Sequence, residues 1–587
     1  MDFSGRDELG GDRAGSGRPI ANTMTDAHRR TFLGYCAFAG LSSTLFPEVL
    51  LVQIKPGTKT IAVGTIREAA RLAGLEWSEA ECEDVAASLS SLAGSIELIE
   101  KDKLNNASAL PFHFDPRPPG LPTTPLTGAM RLPAAPRVKR PQRLEEAAFW
   151  PATHLAELVR TRQAASVELT RMYLERLKRH NGALNCVVTL TEERALKEAE
   201  AADADVKAGR IRGPLHGVPY GVKDIIAATG APTTWGAAPL ARQTFNEDAT
   251  VVSRLRAGGA TLVAKLSTGE MAFGDQWANG RTNNPWNPGE GSSGSSAGPG
   301  AATAAGLVGF SIGSDTGGSI LSPSLRCGVV GLRPTFGRVS RHGVMAAGTT
   351  LDKIGPMCRT VEDCGVVLSV IAGPDGLDLA VPDNTPLAWD AQQKQYPRRI
   401  GFVPAMMDAE TNADARANNA RVLETLKQLG CTMHPIVLPS GDLSYFIEYV
   451  ERAAAFDAFT RSGQHAGLRQ RTSRYLRACS LITAVDYLQA NRRRTVIMQE
   501  VARAIAAVDA VMFTSLTLDS ATSLNPVMSL TGHPSIAVPS GFTSAGSPAG
   551  VMFSGQLYQE GALLTLAAAY ERAVGPRRHP PLFASSL

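Results

Sequence analysis

The stretch from Gly291 to Ile320, GSSGSSAGPGAATAAGLVGFSIGSDTGGSI, holds seven serines, nine glycines and a single charge, Asp315. Few stable cores tolerate such a run. Its small residues bring backbone unusually close to a neighbouring element or a ligand, so the surrounding fold must supply almost all the packing. At 587 residues the chain can do so. Its length allows two to four domains, or one large domain with additions.

Composition narrows the function classes. Hydrophobic residues at 44% and charged residues at 19% describe an ordinary soluble globular protein. A formal charge of +4 is too small for this size to indicate nucleic acid or an acidic partner. The eight cysteines, at 36, 82, 186, 327, 358, 364, 431 and 479, are scattered, without a CxxC pair or a neighbouring His cluster. That speaks against a zinc site and against a dense disulfide framework. Cys358 and Cys364 are close enough in sequence to permit a disulfide, but buried free thiols are the expectation. No segment has eighteen uninterrupted apolar residues, so no membrane span is expected.

The first 50 residues read as a disordered start followed by a targeting segment. Arg29-Arg30 precedes an apolar run reaching about Leu45, which resembles a Tat export signal. Met24 is a natural alternative start, although no clean A-x-A cleavage site follows the run. Residues 51–105 read as a helical hairpin, with Gly74 ending one helix and Ser78 capping the next in a capping box with Glu81. Residues 106–144 are a Pro-rich linker, extended and draped over another domain. From 145 to 587 strands and helices alternate, predicting an α/β unit with a large sheet covered on both faces. Its first helices fall in FWPATHLAELVRTRQAASVELTRMYLERLKRHN, the second capped near Ser166.

Two serines compete for a chemical role. Gly294-Ser295-Ser296-Ala297-Gly298 satisfies the G-x-S-x-G nucleophile elbow with Ser296 at its centre. That motif needs a buried strand before it, and NNPWNPGEGSS, full of Pro and Gly, cannot be one. Ser319 has the better context. Leu307–Ile312 reads as a buried strand, and GSDTGGS as a tight turn in which Gly317 and Gly318 leave backbone N–H groups free to converge on an oxyanion. A phosphate-cradling loop would need a Lys after the glycines, and none is there. A serine hydroxyl also needs a base. No histidine lies in the stretch, but GVPYGVKDI places Lys223 among apolar and glycine residues. Burial disfavours a charged amine, so Lys223 could act as a neutral base.

Together, Lys223 in GVPYGVKD, Ser295-Ser296, GSDTGGSI and CGVVGLRPTFGRVSR resemble the amidase signature family. Ser295 precedes Ser319 by 24 residues and follows Lys223 by 72, close to the family's intervals. NNPWNP and NPVMSLTGHPSIAVPSGF are further landmarks, and the resemblance spans 145 to the C-terminus. It implies an amidase signature fold with a large mixed sheet, with Ser319 as nucleophile, Ser295 as bridging serine after a cis Gly294–Ser295 peptide, and Lys223 as base. It also implies an oxyanion hole of N–H groups from Thr316, Gly317, Gly318 and Ser319. No metal or organic cofactor is required. The sequence departs from the pattern at Ala297, at Pro299 and at Leu321, where the family usually has Arg; Arg326 lies nearby.

The implied activity is hydrolysis of a small-molecule amide C–N bond through an acyl-enzyme. One alternative is the glutamine-hydrolysing component of a tRNA-dependent amidotransferase, because the N-terminal hairpin resembles that complex's small subunit. Another is a non-catalytic binding scaffold on the same fold. The resemblance further suggests a homodimer. Segments GDQWANGRT and 440–490 are the expected sources of pocket residues.

Overall fold

The structure, a computed structural model, describes residues 62–72, 77–83, 85, 113–123, 127–480, 482–515 and 526–584. The Arg29-Arg30 segment, Gly74 and most of the second N-terminal helix lie outside the described residues. The chain divides into two compact units, 1–103 and 104–587. In the smaller one, helix α1 (Val63–Leu72) has Ile66 and Ala70 on its buried face. The capping box forms as the sequence predicts: the Ser78 N–H donates to Glu81 Oε2 at 2.7 Å, and the Glu81 N–H reaches Ser78 Oγ at 3.4 Å.

The Pro-rich segment belongs with the larger unit and lies on its surface. Phe114 packs edge-on against Phe336 at 5.2 Å, and the Arg494 guanidinium sits 3.4 Å over the Phe114 ring. Further along, Met130–Arg131 pairs in parallel with Trp389–Asp390.

The larger unit is a mixed α/β fold around an eleven-stranded sheet. In chain order its strands are β1 (Val187–Leu190), β2 (Pro219–Lys223), β3 (Thr261–Leu266), β4 (Phe310–Asp315), β5 (Val330–Arg333) and β6 (Lys353–Cys358). They continue with β7 (Arg399–Phe402), β8 (Thr432–Pro435), β9 (Ala510–Ser515), β10 (Ser535–Phe542) and β11 (Pro548–Gly555). In space the order is β8-β7-β9-β11-β10-β5-β6-β4-β2-β3-β1. Every residue of β2, β3, β4 and β6 is buried. Successive side chains point to opposite faces, so uninterrupted burial means that both faces of the sheet are covered.

Helices α2 (Ser166–Leu184), α3 (Glu192–Lys207), α4 (Ala297–Ala304), α5 (Leu321–Cys327), α6 (Leu443–Ala455), α7 (Gln470–Cys479) and α8 (Ala484–Ile505) include those that frame the site. The cap of α2 differs from expectation. Ser166 is its first residue, and its hydroxyl donates to Gly217 O; the Asp203 carboxylate instead accepts the Ser166 and Val167 N–H groups, at 2.7 and 3.1 Å. A full carboxylate from a neighbouring helix outcompetes a local hydroxyl for those donors.

The opening Gly/Ser run resolves into a buried loop, helix α4, strand β4 and a turn. All eight residues of α4 are buried. Pro299 sits in its first turn, where a missing N–H costs nothing. At Gly298 an added Cβ would lie 2.4 Å from the Ser267 backbone nitrogen. The run is small because a helix and a loop pass between other backbones there. The strand expected over 307–312 instead starts at Phe310 and runs to Asp315, because Lys353 to Met357 of β6 pair antiparallel with Asp315 back to Ser311. The seven described cysteines are buried and free.

Candidate active site

Strands β2 and β4 are adjacent and parallel, with Tyr220, Gly221 and Val222 paired to Phe310, Ser311 and Ile312. Their carboxyl ends therefore emerge at the same edge, where α/β sheets bind ligands. Lys223 ends β2 and Asp315 ends β4. The loop before α4 returns to the same place.

Lys223 is 0% exposed. Its Nζ donates to Ser295 Oγ and to Ser314 Oγ, both at 2.8 Å. Among the described residues no carboxylate pairs with it. Burial is the main influence on the amine and lowers its pKa to about 7, opposed at longer range by Asp315 and Asp352. Ser295 is 1% exposed and follows a cis peptide from Gly294, as the resemblance implied. An added Cβ at Gly294 would lie 1.9 Å from Gly274 O, so only glycine lets the loop approach this closely.

Asp315 organises the turn that follows. Its Oδ1 accepts the Gly318 N–H at 2.8 Å and Arg333 Nη1 at 3.2 Å, and its Oδ2 accepts the Ile320 N–H at 2.8 Å. Burial would raise this carboxyl, but Arg333, Lys353 and those N–H groups outweigh it and hold the pKa below the usual carboxylate range. Gly318 adopts φ +128°, a conformation that side chains rarely allow. Behind the turn, Thr316 Oγ1 donates to Asp352 Oδ1 at 2.6 Å. Ser529 Oγ donates to Thr316 O, and Lys353 Nζ donates to Ser529 Oγ at 2.9 Å.

The structure thus joins Lys223 and Ser295 directly and places Ser319 on the adjoining turn. The Ser296 N–H donates to Ser319 O at 3.1 Å. Ser319 itself is partly exposed, its hydroxyl making no hydrogen bond among the described residues and none to Ser295. Apo catalytic hydrogen bonds are often long and close only on a bound substrate.

One expected oxyanion donor is corrected. The Gly318 N–H is committed to Asp315, a buried anion that competes for it at 2.8 Å. Ser296 is fully buried, its hydroxyl donating to Ser314 O and accepting from the Ser314 N–H. The Ser292-Ser293 pair makes no contact with Lys223; Ser293 Oγ meets Ser322 Oγ at 2.5 Å. Leu321 is buried apolar, and Arg326 instead pairs with Glu290. Sequence reasoning missed Ser314, although it stands one residue before the turn in GSDTGGS, and it missed the anchoring role of Asp315.

A large mixed sheet thus carries a buried lysine, a serine-rich loop and a glycine turn at one edge. The Amidase family profile matches residues 168–516, and the chain belongs to that family, hydrolases of carbon–nitrogen bonds in non-peptide amides. AmiD of Mycobacterium tuberculosis, an amidase by name, is 36% identical over 474 residues, which cover 75% of this chain and 98% of AmiD. The A-type subunit of the Gloeobacter violaceus glutamyl-tRNA(Gln) amidotransferase is 34% identical over 486 residues, covering 74% of this chain and 98% of that protein. Among solved structures, peptide amidase from Stenotrophomonas maltophilia superposes with a TM-score of 0.67 at 27% identity, covering 74% of this chain and 99% of that one.

Proposed function

We propose that the chain hydrolyses a small-molecule carboxylic amide through a Ser319 acyl-enzyme, with Lys223 as base and Ser295 as relay. The observation that carries this reading is the environment of Lys223: a fully buried amine, pKa about 7, with two hydroxyl neighbours and no carboxylate partner among the described residues. At and above neutral pH such an amine donates to Ser314 and accepts from the Ser295 hydroxyl. As Ser319 Oγ bonds to the carbonyl carbon, its proton passes to Ser295 Oγ while the Ser295 proton passes to Lys223 Nζ. The Thr316, Gly317 and Ser319 N–H groups would hold the oxyanion, each worth roughly 3–4 kcal/mol of barrier height. The proton then returns through Ser295 to the leaving amine as the C–N bond breaks. Water attacks the ester by the same relay and restores Ser319.

The test is a fluorophosphonate probe on wild type and Ser319→Ala, followed by intact mass and peptide mapping. Labelling at Ser319, absent in the variant, is the expected result; labelling at Ser296, or none on folded protein, overturns it. The similarity to the A-type component of a tRNA-dependent amidotransferase motivates one competing reading, glutamine hydrolysis for a tRNA-bound product. Glutaminase activity stimulated by a charged tRNA would favour it. Export through the Arg29-Arg30 segment and a homodimeric state belong to the same proposal; cell fractionation and light scattering of the purified chain test them.

A further inference from the structure

Helix α6 crosses the open side of the turn. A Cβ built on Gly317 would point at Glu448 Oε2, 3.8 Å away, and at Tyr445 Cε1, 3.9 Å away. Glu448 is only 8% exposed, and its two oxygens are used differently. Oε1 accepts from Arg452 Nη2, whereas Oε2, on the side of the turn, has no hydrogen-bond partner among the described residues. Arg452 is held elsewhere as well: its guanidinium lies 4.0 Å over the Phe273 ring and donates to Met271 O. Oε2 therefore faces the turn as an acceptor open to a donor on a ligand. Burial raises the Glu448 carboxyl, with Arg452 opposing, so a second cation would relieve the burial penalty.

Beside Glu448 runs an aromatic wall. Tyr445 and Tyr449 stand 6.3 Å apart, Tyr449 and Tyr475 4.9 Å, and Phe273 lies 6.0 Å from both Tyr449 and Tyr475. Aromatic faces attract both apolar groups and cations.

We propose that Glu448 Oε2 and the Tyr445–Tyr449–Tyr475–Phe273 wall form a subsite for a substrate ammonium group, so that the preferred substrates are amides of apolar or aromatic amino acids with an unblocked amine. This rests on the Ser319 reading above, since it places the ammonium within a few bonds of the carbonyl held at the turn. Neither feature suffices alone. The carboxylate supplies charge and a vacant acceptor; the wall supplies a surface for the side chain. A neutral donor on the substrate would satisfy the acceptor without using the charge, and that difference can be measured.

The experiment compares kcat/KM at pH 7 for phenylalaninamide, its N-acetyl derivative and 3-phenylpropanamide, which lacks the ammonium, in wild type and Glu448→Gln. A charge-assisted hydrogen bond predicts that wild type favours phenylalaninamide over 3-phenylpropanamide by roughly ten- to a hundredfold. In Glu448→Gln the ratio should fall to near one, mainly through KM. A wild-type ratio near one, a preference for the N-acetyl compound, or a ratio that survives Glu448→Gln overturns the subsite. The wild-type ratio needs no variant, so misfolding of Glu448→Gln cannot shield the proposal. Labelling at Ser319 without turnover of any of the three amides also overturns it. Failure of the underlying reading looks different: folded wild type that is neither labelled at Ser319 nor active on any amide.

Discussion

Two buried Lys–Ser pairs flank the same turn, and they differ in where the serine proton can go. Lys223 lies 2.8 Å from Ser295, and Lys353 lies 2.9 Å from Ser529. Burial is the leading influence on both amines and depresses both, Lys353 well below the ordinary lysine value. By basicity alone Lys353–Ser529 would be the stranger pair. The difference lies in where the serine hydrogen goes. Ser529 donates to Thr316 O, so its hydroxyl is locked between the amine and a carbonyl. Ser295 Oγ has no such acceptor among the described residues; its hydroxyl proton can turn to Lys223, and its oxygen can then receive another. A depressed amine pKa therefore does not by itself distinguish the two pairs. What separates a relay from a brace is an uncommitted proton on the adjoining hydroxyl.

The largest test of this contrast is Lys223→Met. Removing a general base should lower kcat/KM by roughly 10²–10⁴-fold. The same variant should be more stable than wild type at pH 6. The folded amine has a pKa of about 7 against about 10.4 in the unfolded chain, so burying it opposes folding by up to about 5 kcal/mol below pH 7, where the folded protein must carry the ammonium away from water. Between pH 7 and about 10.4 the unfolded chain binds the extra proton, so wild-type stability rises with pH and the advantage of Lys223→Met disappears. Denaturant titrations at several pH values measure that closing gap. A variant that loses activity and is also less stable at every pH would mean that Lys223 is held as a structural cation.

The pH profile is the next test. With a base of pKa about 7, kcat/KM should fall about tenfold per unit on the acid side, because protonated Lys223 cannot accept from Ser295. Ser529→Ala breaks the brace instead. It leaves Thr316 O without its donor and Lys353 without one acceptor, and should slow kcat by roughly tenfold through a loosened turn, equivalent to about 1.4 kcal/mol. Its acid limb should stay where it is in wild type. A shifted limb after Ser529→Ala would show that the two pairs titrate together and would remove the distinction drawn here.

How much of this was legible in the sequence differs between the two pairs. The meeting of Lys223 and Ser295 could be expected from the motifs and spacing that resemble the family, and Thr261–Leu266 could be read as a strand because its run is apolar apart from Thr261 and Lys265. The brace could not. Lys353 begins β6, a central strand containing Gly355 and Pro356, residues that ordinarily argue against a strand. Ser529 comes from a short helix, Val527–Leu530, that is 176 residues away in sequence. Only the assembled sheet brings them behind the turn. Glu448 was equally hidden. Its segment reads as an amphipathic helix with several aromatics, and which oxygen lacks a donor depends on the placement of α6. The commitment of the Gly318 N–H follows from Asp315 folding back on its own loop, a choice that glycine spacing does not reveal.

The smallest expected effect concerns the serine that sequence pattern most readily mistakes for a nucleophile. Ser296 sits next to Ser295, inside a perfect G-x-S-x-G, yet its hydroxyl is spent on the two backbone groups of Ser314. Ser314 is one of the two hydroxyls that hold Lys223, so Ser296 acts on the relay only by fixing that strand residue. Ser296→Ala should therefore cost about 1–3 kcal/mol of stability, the penalty for a buried N–H left without an acceptor. Fluorophosphonate labelling at Ser319 should continue, and kcat/KM should fall by less than about tenfold, since a small displacement of Ser314 perturbs one hydrogen bond to the base and leaves the Ser295 contact in place. Measured beside Ser295→Ala, which removes the relay itself and should cost roughly 10²–10⁴-fold, the variant separates two adjacent serines by function. Equal losses in the two would mean that the loop acts as one rigid unit, with position within it counting for nothing.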